Sequence, residues 1–127
     1  MDSLSAAALQ ARENAYAPYS NFRVGAALED SQGRVHTGCN VENATFGLTI
    51  CAERVALVKA VSEGYRSFRR IAIAAESDTL TPPCGACRQI LWEFCGDIEI
   101  VLVNPQGKTE TLQLKDLFPR AYDRSFL

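Results

Sequence analysis

Apolar residues recur every three or four positions in three stretches of the chain, which is the period of a helix that buries one side. The first stretch covers residues 3–16, the second 50–63 and the third 84–94. Each is followed by a proline or a glycine, residues that do not continue a helix. The pattern therefore predicts three helices, the first of them capped by Ser3 or Ser5.

Five further stretches have the composition of β-strands. Residues 22–30 and 34–41 are joined through "DSQG", whose final glycine suits a hairpin turn. The apolar runs at 69–77 and 98–104 are typical of buried strands. Residues 108–113 follow the turn sequence "NPQG" and are expected to pair back as the last strand, before a short helical turn and the tail.

The order of these elements predicts the fold class. It reads α-β-β-α-β-α-β-β-α, a hairpin followed by strand–helix units, which implies a mixed sheet with helices on both faces. We therefore expect an α/β protein with three layers, α/β/α, around a five-stranded mixed sheet. A chain of 127 residues suits one core, and no repeat or linker interrupts it, so residues 1–127 are predicted to form a single domain.

Charge and hydropathy narrow the classes of partner. The net charge is −2 and no basic run is present, so a nucleic acid polymer gains no electrostatic attraction and a small molecule fits better. The apolar stretches are far too short to cross a bilayer, so no membrane partner is expected. The first residues lack the pattern of a signal peptide, and we expect a cytoplasmic protein.

Cysteine usage indicates a metal or a catalytic site rather than disulfides. The chain has five cysteines, an odd number, and disulfide frameworks are rare in a reducing cytosol. The single histidine, His36, is expected on the surface of a strand, so a zinc site would have to use thiolates. Two cysteines have no partner at ligand spacing and are expected to be small buried apolar residues: Cys39 and Cys95.

The other three cysteines are placed to meet. Cys51 begins the second predicted helix, and Cys84 begins the third, with Cys87 three residues later on the same helix face. Helix starts favour thiolates, and open α/β sheets gather their sites above the carboxyl ends of strands. We expect the three to bind one Zn²⁺ and to leave its fourth position open for water. A C-x-x-C redox pair and a closed structural zinc site are the alternatives.

Two charged residues follow Cys51 closely. Glu53 points elsewhere around the helix start, so it can lie beside the open position without binding the metal, and can move protons between water and a leaving group. Zinc lowers the pKa of its bound water to about 7, and three thiolates weaken that effect. Arg54 is expected to hydrogen-bond the sulfurs and offset their charge. Glu53 is therefore the candidate catalytic residue.

Several motifs together resemble a known family. "CAE" and "PCGACRQ" resemble the signature of the zinc-dependent nucleobase deaminases, with cysteine at the first ligand position. "PYSNFRVGAAL", "GCNVENATFG" and "CAERVAL" resemble the small homotetrameric cytidine deaminases of nucleoside salvage. The resemblance runs from about Ala8 to Tyr122 in the expected order.

The resemblance implies a role for individual residues. Glu53 would protonate N3 of cytosine, help water attack C4 and assist the departure of ammonia. Asn40 and Glu42 would hydrogen-bond the ribose hydroxyls, and their i, i+2 spacing puts both on one side of an extended segment. Phe22 would stack against the pyrimidine. The backbone groups that would hold the base and the attacking oxygen belong to Ala52 and Cys84.

Two aromatic positions depart from the family pattern. Phe46 stands where family members often carry tyrosine, and Tyr122 where they commonly carry phenylalanine. In the family these regions reach a neighbouring subunit's pocket, so the resemblance implies a homotetramer with shared active sites. The predicted loops and tail also carry several apolar and aromatic residues. A small monomer would leave many of them exposed to water, which also favours an oligomer.

These observations predict a zinc enzyme of pyrimidine salvage. It would hydrolyse cytidine and 2′-deoxycytidine to uridine and 2′-deoxyuridine plus ammonia, with one zinc per chain. Three alternatives stay open: a deaminase of a cytosine-containing antibiotic such as blasticidin S, a deaminase of polymeric nucleic acid, and a non-catalytic zinc-stabilised interaction domain. "FRVGAAL" and "NVEN" favour the nucleoside, and Glu53 argues against a structural site, which needs no carboxylate near an open position.

Overall fold

Nine helices and strands make up the structure, a computed structural model that describes residues 1–127. Their order confirms the predicted one. They are α1 (Ser3–Arg12), β1 (Val24–Asp30), β2 (Val35–Cys39), α2 (Ala52–Ser62), β3 (Phe68–Ala75), α3 (Gly85–Cys95), β4 (Glu99–Val103), β5 (Thr109–Gln113) and α4 (Leu114–Leu117). Single 3-10 turns occupy Phe46–Leu48 and Arg124–Phe126. None of the helices has the length and apolar character that a membrane crossing requires.

The strands form one mixed sheet, as predicted. Their order across the sheet is β2-β1-β3-β4-β5. β1 is antiparallel to both β2 and β3, β3 is parallel to β4, and β4 is antiparallel to β5. The parallel pair is joined through α3, because two parallel neighbours need a crossover connection. β2 and β3 run in the same direction, and α2 follows the first of them and α3 the second, so both helices start at the same edge of the sheet.

Helices cover both faces of the sheet, which confirms the three-layer architecture. On one face α1 packs Leu4 and Ala8 over Ala27, Ala72 and Val101. On the other face α2 and α3 bury a larger apolar cluster. Its fully buried side chains include Leu28, Leu57, Ile71, Leu91 and Ile100.

Gly38 lets α2 approach the sheet closely. A β-carbon at this position of β2 would lie 2.5 Å from the backbone nitrogen of Ala56 and 2.7 Å from the carbonyl oxygen of Ala52. Only glycine has no side chain to occupy that space. The first turns of α2, which carry the "CAE" motif, are thus held directly over β2.

The helix boundaries differ from the predicted ones by a few residues. The first helix ends at Arg12, and its cap is Asp2, whose Oδ1 accepts a 2.8 Å hydrogen bond from the N–H of Ser5; the prediction that a serine caps it is wrong. Residues 13 and 14 form a turn, and Tyr16 then pairs with Val41 in an isolated bridge. Tertiary pairing outside the sheet therefore shortens this helix against its local pattern.

The prediction that His36 is a strand surface residue is wrong. His36 is only 7% exposed, and its Nε2 lies 2.9 Å from Oδ2 of the buried Asp30 on the neighbouring strand. Its ring also lies against that of Tyr65. Cys39 and Cys95 are half-buried rather than fully buried, and burial raises the pKa of Cys95 to about 12.

Candidate active site

Three thiols meet at the starts of two helices. Cys51 is the N-cap residue of α2, Cys84 is the N-cap residue of α3, and Cys87 lies in the first turn of α3. The Sγ atom of Cys84 is 3.5 Å from that of Cys87 and 4.0 Å from that of Cys51. All three sulfurs lie within 4.8 Å of one another. The structure thus brings together the three side chains that the spacing singles out.

The sulfur geometry fits a zinc ion. Zn–S bonds of about 2.3 Å at tetrahedral angles place neighbouring sulfurs about 3.8 Å apart. The separations of 3.5 and 4.0 Å lie on either side of that value. No fourth cysteine, histidine or carboxylate joins the cluster, so a tetrahedral ion held here would keep one position for a non-protein ligand. Thiolates are also donors that select zinc over magnesium or calcium.

The surroundings of Cys51 favour its thiolate form. The pKa of Cys51 is lowered because it accepts a hydrogen bond from the Cys87 thiol, and the Arg54 guanidinium adds to this effect. Nη2 of Arg54 lies 3.7 Å from the Cys51 sulfur and donates a 3.1 Å hydrogen bond to the carbonyl oxygen of Thr49. Arg54 therefore holds the loop before α2 against the sulfur cluster, in contact with one of the three sulfurs.

Glu53 lies in the first turn of α2, beside the thiols but outside their cluster. It is only 5% exposed and it lines a cavity shared with Cys51 and Cys84. Burial raises the pKa of Glu53 to about 7, because loss of water disfavours the charged carboxylate. A carboxyl group in this position can both accept and return a proton.

The cavity above Glu53 has a volume of about 250 Å³ and opens to solvent. Seven residues singled out from the sequence line it, and six others complete the wall. The seven are Phe22, Asn40, Glu42, Cys51, Ala52, Glu53 and Cys84. A concave site with an apolar wall and a few converging polar groups is typical of a small-molecule site.

Asn40 uses its amide mainly to hold the main chain of the cavity wall. Its Oδ1 accepts a 2.9 Å hydrogen bond from the N–H of Val24, and its Nδ2 donates a 2.7 Å bond to the carbonyl oxygen of Phe22. An amide has two N–H groups and two lone pairs. One donor and one acceptor position of Asn40 therefore remain for a ligand.

Glu42 is held in place by the turn before β1. Its Oε1 accepts hydrogen bonds from the N–H of Tyr19 at 2.9 Å and of Ser20 at 3.1 Å, and its Oε2 accepts one from the Ser20 hydroxyl. The Ser20 hydroxyl, followed by the backbone N–H groups of the turn, lowers the pKa of Glu42. Glu42 is thus a carboxylate on the wall of the cavity.

Two aromatic residues expected at the substrate pocket lie outside this cavity. Phe46 is 73% exposed and faces Tyr19 at a ring distance of 6.0 Å, beside a second groove that shares Ser20 and Glu42 with the cavity. Tyr122 is 56% exposed and stacks on Phe126 in the tail, with ring centroids 5.7 Å apart. Within one chain the structure does not bring either ring to the cavity.

Six lining residues were not found from the sequence. Ser20, Val24, Thr49, Ile73, Thr81 and Pro82 complete the wall. Ser20 and Val24 fall inside "PYSNFRVGAAL", and Thr81 and Pro82 lie two or three residues before the first C-x-x-C cysteine. Their closeness to recognised motifs is the only signal that could have indicated them, because none of them belongs to a periodic pattern or to a motif with a fixed interval.

Comparison with known proteins identifies the family of the chain. Residues 1–103 match the family "Cytidine and deoxycytidylate deaminase zinc-binding region". The chain belongs to this deaminase family. A cytidine deaminase from Sporosarcina psychrophila is 44% identical over 128 residues, which cover 100% of this chain and 94% of that protein. The 1.6 Å crystal structure of cytidine deaminase from Burkholderia pseudomallei matches with a TM-score of 0.91 at 50% identity, covering 96% of this chain and 100% of that chain. The family recognised from the motifs is confirmed.

One further relative bears on the antibiotic alternative. A blasticidin-S deaminase from Bacillus cereus is 29% identical to this deaminase-family chain over 114 residues, covering 84% of this chain and 81% of that protein. Its identity is well below that of the two cytidine deaminases, at 44% and 50%. The comparisons therefore favour the nucleoside reaction over the antibiotic one.

Proposed function

We propose that this protein hydrolyses cytidine and 2′-deoxycytidine to uridine and 2′-deoxyuridine, with release of ammonia. The observation that carries the proposal is the position of Glu53, buried on the cavity wall beside three converging thiols but outside their cluster. A structural metal site has no use for an unligated, buried carboxyl group. Full-length similarity to cytidine deaminases supports the same reaction.

The metal ligands would be Cys51, Cys84 and Cys87. When bound, zinc supplies a Lewis acid that makes water a nucleophile near neutral pH. The chain's own contribution is to present three sulfurs at suitable separations from two rigid helix starts. Arg54, in contact with the Cys51 sulfur, would offset part of the negative charge of the three thiolates.

Glu53 would move the protons. In this proposal its carboxylate takes a proton from the attacking water and delivers it to N3 of the cytosine ring, which prepares C4 for attack. It then takes the second proton of the former water from the hydroxyl group now on C4 and transfers it to the departing amino group, which leaves as ammonia. The low exposure of Glu53 keeps bulk water from competing for these protons.

The cavity wall would hold the nucleoside. Phe22 would stack on the pyrimidine, and the backbone of Ala52 would hold the base. Asn40 and Glu42 would hydrogen-bond the sugar hydroxyls with the positions that their contacts to the main chain leave free. A site that buries such groups discriminates against substrates lacking the hydroxyl.

We also propose that the protein is a cytoplasmic homotetramer of pyrimidine salvage, with active sites completed by neighbouring subunits. Exposed aromatic and apolar side chains support this arrangement: Tyr16, Tyr19, Val41, Phe46, Leu48, Ile50 and Tyr122. Phe46 and Tyr122 would then contribute to a neighbour's pocket. Sedimentation at micromolar concentration should give a tetramer, and a monomer would contradict shared sites.

The decisive experiment compares Glu53→Gln with Glu63→Gln, an exposed residue at the other end of α2. Turnover of cytidine is followed by its ultraviolet spectral change and by ammonia release. Glu53→Gln should lose at least about a hundredfold in kcat, the usual scale of a positioned general acid or base, and should keep its zinc. The Glu63→Gln variant should match the unmodified protein.

The same assay tests the other functions. Ammonia release from blasticidin S but not from cytidine would support the antibiotic reaction instead. Salt-dependent binding of single-stranded nucleic acid would support action on a polymer. If the protein binds zinc and Glu53→Gln changes neither its zinc content nor any activity in this assay, a non-catalytic structural domain would be supported.

A further inference from the structure

Ser20 connects two residues proposed to hold the substrate. Its hydroxyl donates a hydrogen bond to Oε2 of Glu42 and accepts a 3.0 Å bond from the backbone N–H of Phe22. The Phe22 N–H can only donate, so it uses a lone pair of the Ser20 oxygen. The hydroxyl proton of Ser20 is therefore donated to Glu42. Ser20 itself lies on the wall of the cavity.

The contacts of Glu42 leave little freedom in how it meets a ligand. Three donors reach it, the N–H of Tyr19, the N–H of Ser20 and the Ser20 hydroxyl. A carboxylate offers about four acceptor positions. Only one position therefore remains, which suits a single hydroxyl donor. The Ser20 hydroxyl and the two N–H groups also keep Glu42 ionised, since they lower its pKa.

The backbone around Ser20 is shaped for these contacts. Asn21 adopts the left-handed conformation, with φ of 58°, which asparagine tolerates better than most residues. The turn folds Phe22 back so that its N–H reaches the Ser20 hydroxyl. The N–H groups of Tyr19 and Ser20 bind Glu42 from the main chain. The Ser20 hydroxyl is therefore the one side-chain group of this turn that contacts both Phe22 and Glu42.

We propose that Ser20 is a positioning residue for recognition of the sugar: it fixes Oε2 of Glu42 so that the free acceptor position of this carboxylate meets a hydroxyl of the bound nucleoside. This inference rests on the proposed deamination of nucleosides. Ser20 acts through Glu42, so its contribution is confined to substrates that carry the sugar hydroxyl. The reacting atoms of the base lie beside Glu53, which Ser20 does not contact.

The test measures kcat and KM of Ser20→Ala with cytidine and with 2′,3′-dideoxycytidine. Loss of a hydrogen bond to a charged group should raise KM for cytidine about tenfold, with kcat changed by less than about twofold. Both constants for the dideoxynucleoside should stay within about twofold of those of the unmodified protein, because this substrate offers no ring hydroxyl to Glu42. Ser20→Thr keeps a hydroxyl and should recover most of the lost affinity.

A matched control and a second variant complete the design. Ser62 is an exposed serine of α2 whose hydroxyl bonds only the carbonyl oxygen of Lys59, and Ser62→Ala should behave like the unmodified protein with both substrates. If Ser20→Ala fails to fold, as judged by circular dichroism, Ser20→Cys serves instead, since a thiol is a weaker hydrogen-bond donor to Glu42 than a hydroxyl. It should also penalise cytidine more than the dideoxynucleoside.

The outcomes separate this inference from the proposed function. An equal loss with the two substrates would mean that Ser20 only shapes the turn, and would overturn the inference while leaving deamination intact. Unmodified protein that releases no ammonia from cytidine would overturn the proposed function, and the role of Ser20 with it. A loss confined to cytidine, with recovery in Ser20→Thr, supports both.

Discussion

Nδ2 of Asn40 donates a 2.7 Å hydrogen bond to the carbonyl oxygen of Phe22. The same amide accepts a 2.9 Å bond from the N–H of Val24, so one side chain satisfies two main-chain groups at the start of β1. Asn40 is 8% exposed, and water cannot easily replace it. Asn40, which is proposed to bind a sugar hydroxyl, therefore also stabilises the main chain at the start of β1.

Replacement of Asn40 by alanine should destabilise the protein markedly. Two partly buried main-chain groups would lose their partners, at a cost of about 2–3 kcal/mol in the free energy of unfolding. The melting temperature should fall by about 10 °C, measured by calorimetry or circular dichroism. Asn14→Ala provides the control, because Asn14 is exposed and makes no side-chain hydrogen bond. An unchanged melting temperature in Asn40→Ala would show that these two hydrogen bonds do not contribute to stability.

Gly38→Ala should disturb the start of α2. The new methyl group would lie 2.5 Å from the nitrogen of Ala56 and 2.7 Å from the carbonyl oxygen of Ala52, so the helix must move away from β2. Overpacking of this kind should cost about 3 kcal/mol in the free energy of unfolding, measured with urea. Gly47→Ala is the matched control, since a β-carbon there meets no atom within 4 Å. Equal urea midpoints for the two variants would contradict the close packing.

The buried pair of Asp30 and His36 predicts how stability responds to acid. Hydrogen bonds from His36 and from the N–H groups of Gln32 and Arg34 lower the pKa of Asp30 below 3.8. A carboxylate with a lowered pKa contributes stability that is complete above its unfolded pKa and is lost as the pH falls through the folded pKa. The contribution of Asp30 should therefore be complete above pH 3.8 and disappear in more acid solution.

Asp30→Asn tests this relationship. The variant should be less stable than the unmodified protein at neutral pH, and the difference should shrink as the pH falls below about 4. Urea unfolding at a series of pH values measures it. Asp78→Asn is the control, because Asp78 is exposed and its carboxylate makes no hydrogen bond. A constant difference between Asp30→Asn and the unmodified protein down to low pH would rule out an ionised Asp30 as the cause.

The cysteines can be sorted by their effect on bound zinc. Purified protein should contain about one zinc per chain, and Cys87→Ser should contain less than about a tenth of that, since a hard hydroxyl replaces one of three soft thiolates. Cys39→Ser should keep its zinc, because Cys39 lies on β2 outside the cluster. Elemental analysis after dialysis measures both. Full zinc content in Cys87→Ser would remove that residue from the ligand set.

Removal of zinc should abolish deamination reversibly. A chelator that strips the metal should reduce turnover of cytidine to background, and added Zn²⁺ should restore it, as expected for a catalytic ion. The Cys39→Ser protein should respond in the same way. Activity that survives complete removal of the metal would contradict the proposed mechanism.

The amino-acid sequence determined the features that depend on local spacing. Helical and strand periods predict the order of the elements, and the i, i+3 interval of Cys84 and Cys87 puts two sulfurs on one helix face. The topology of a mixed sheet then brings the start of α2 to the same place, so Cys51 and Glu53 could be grouped with them. Helix geometry and sheet connectivity are general, which is why these parts were predictable.

Only the tertiary structure decided contacts between distant segments. It buried His36 against Asp30, turned Asn40 and Glu42 toward the turn before β1, placed Ser20 between Glu42 and Phe22, and left Phe46 and Tyr122 outside the cavity of their own chain. These positions depend on strand register and on the path of connecting turns. Neither leaves a periodic signal in the sequence. The local sequence around a polar residue in a turn does not specify which distant group it will hydrogen-bond.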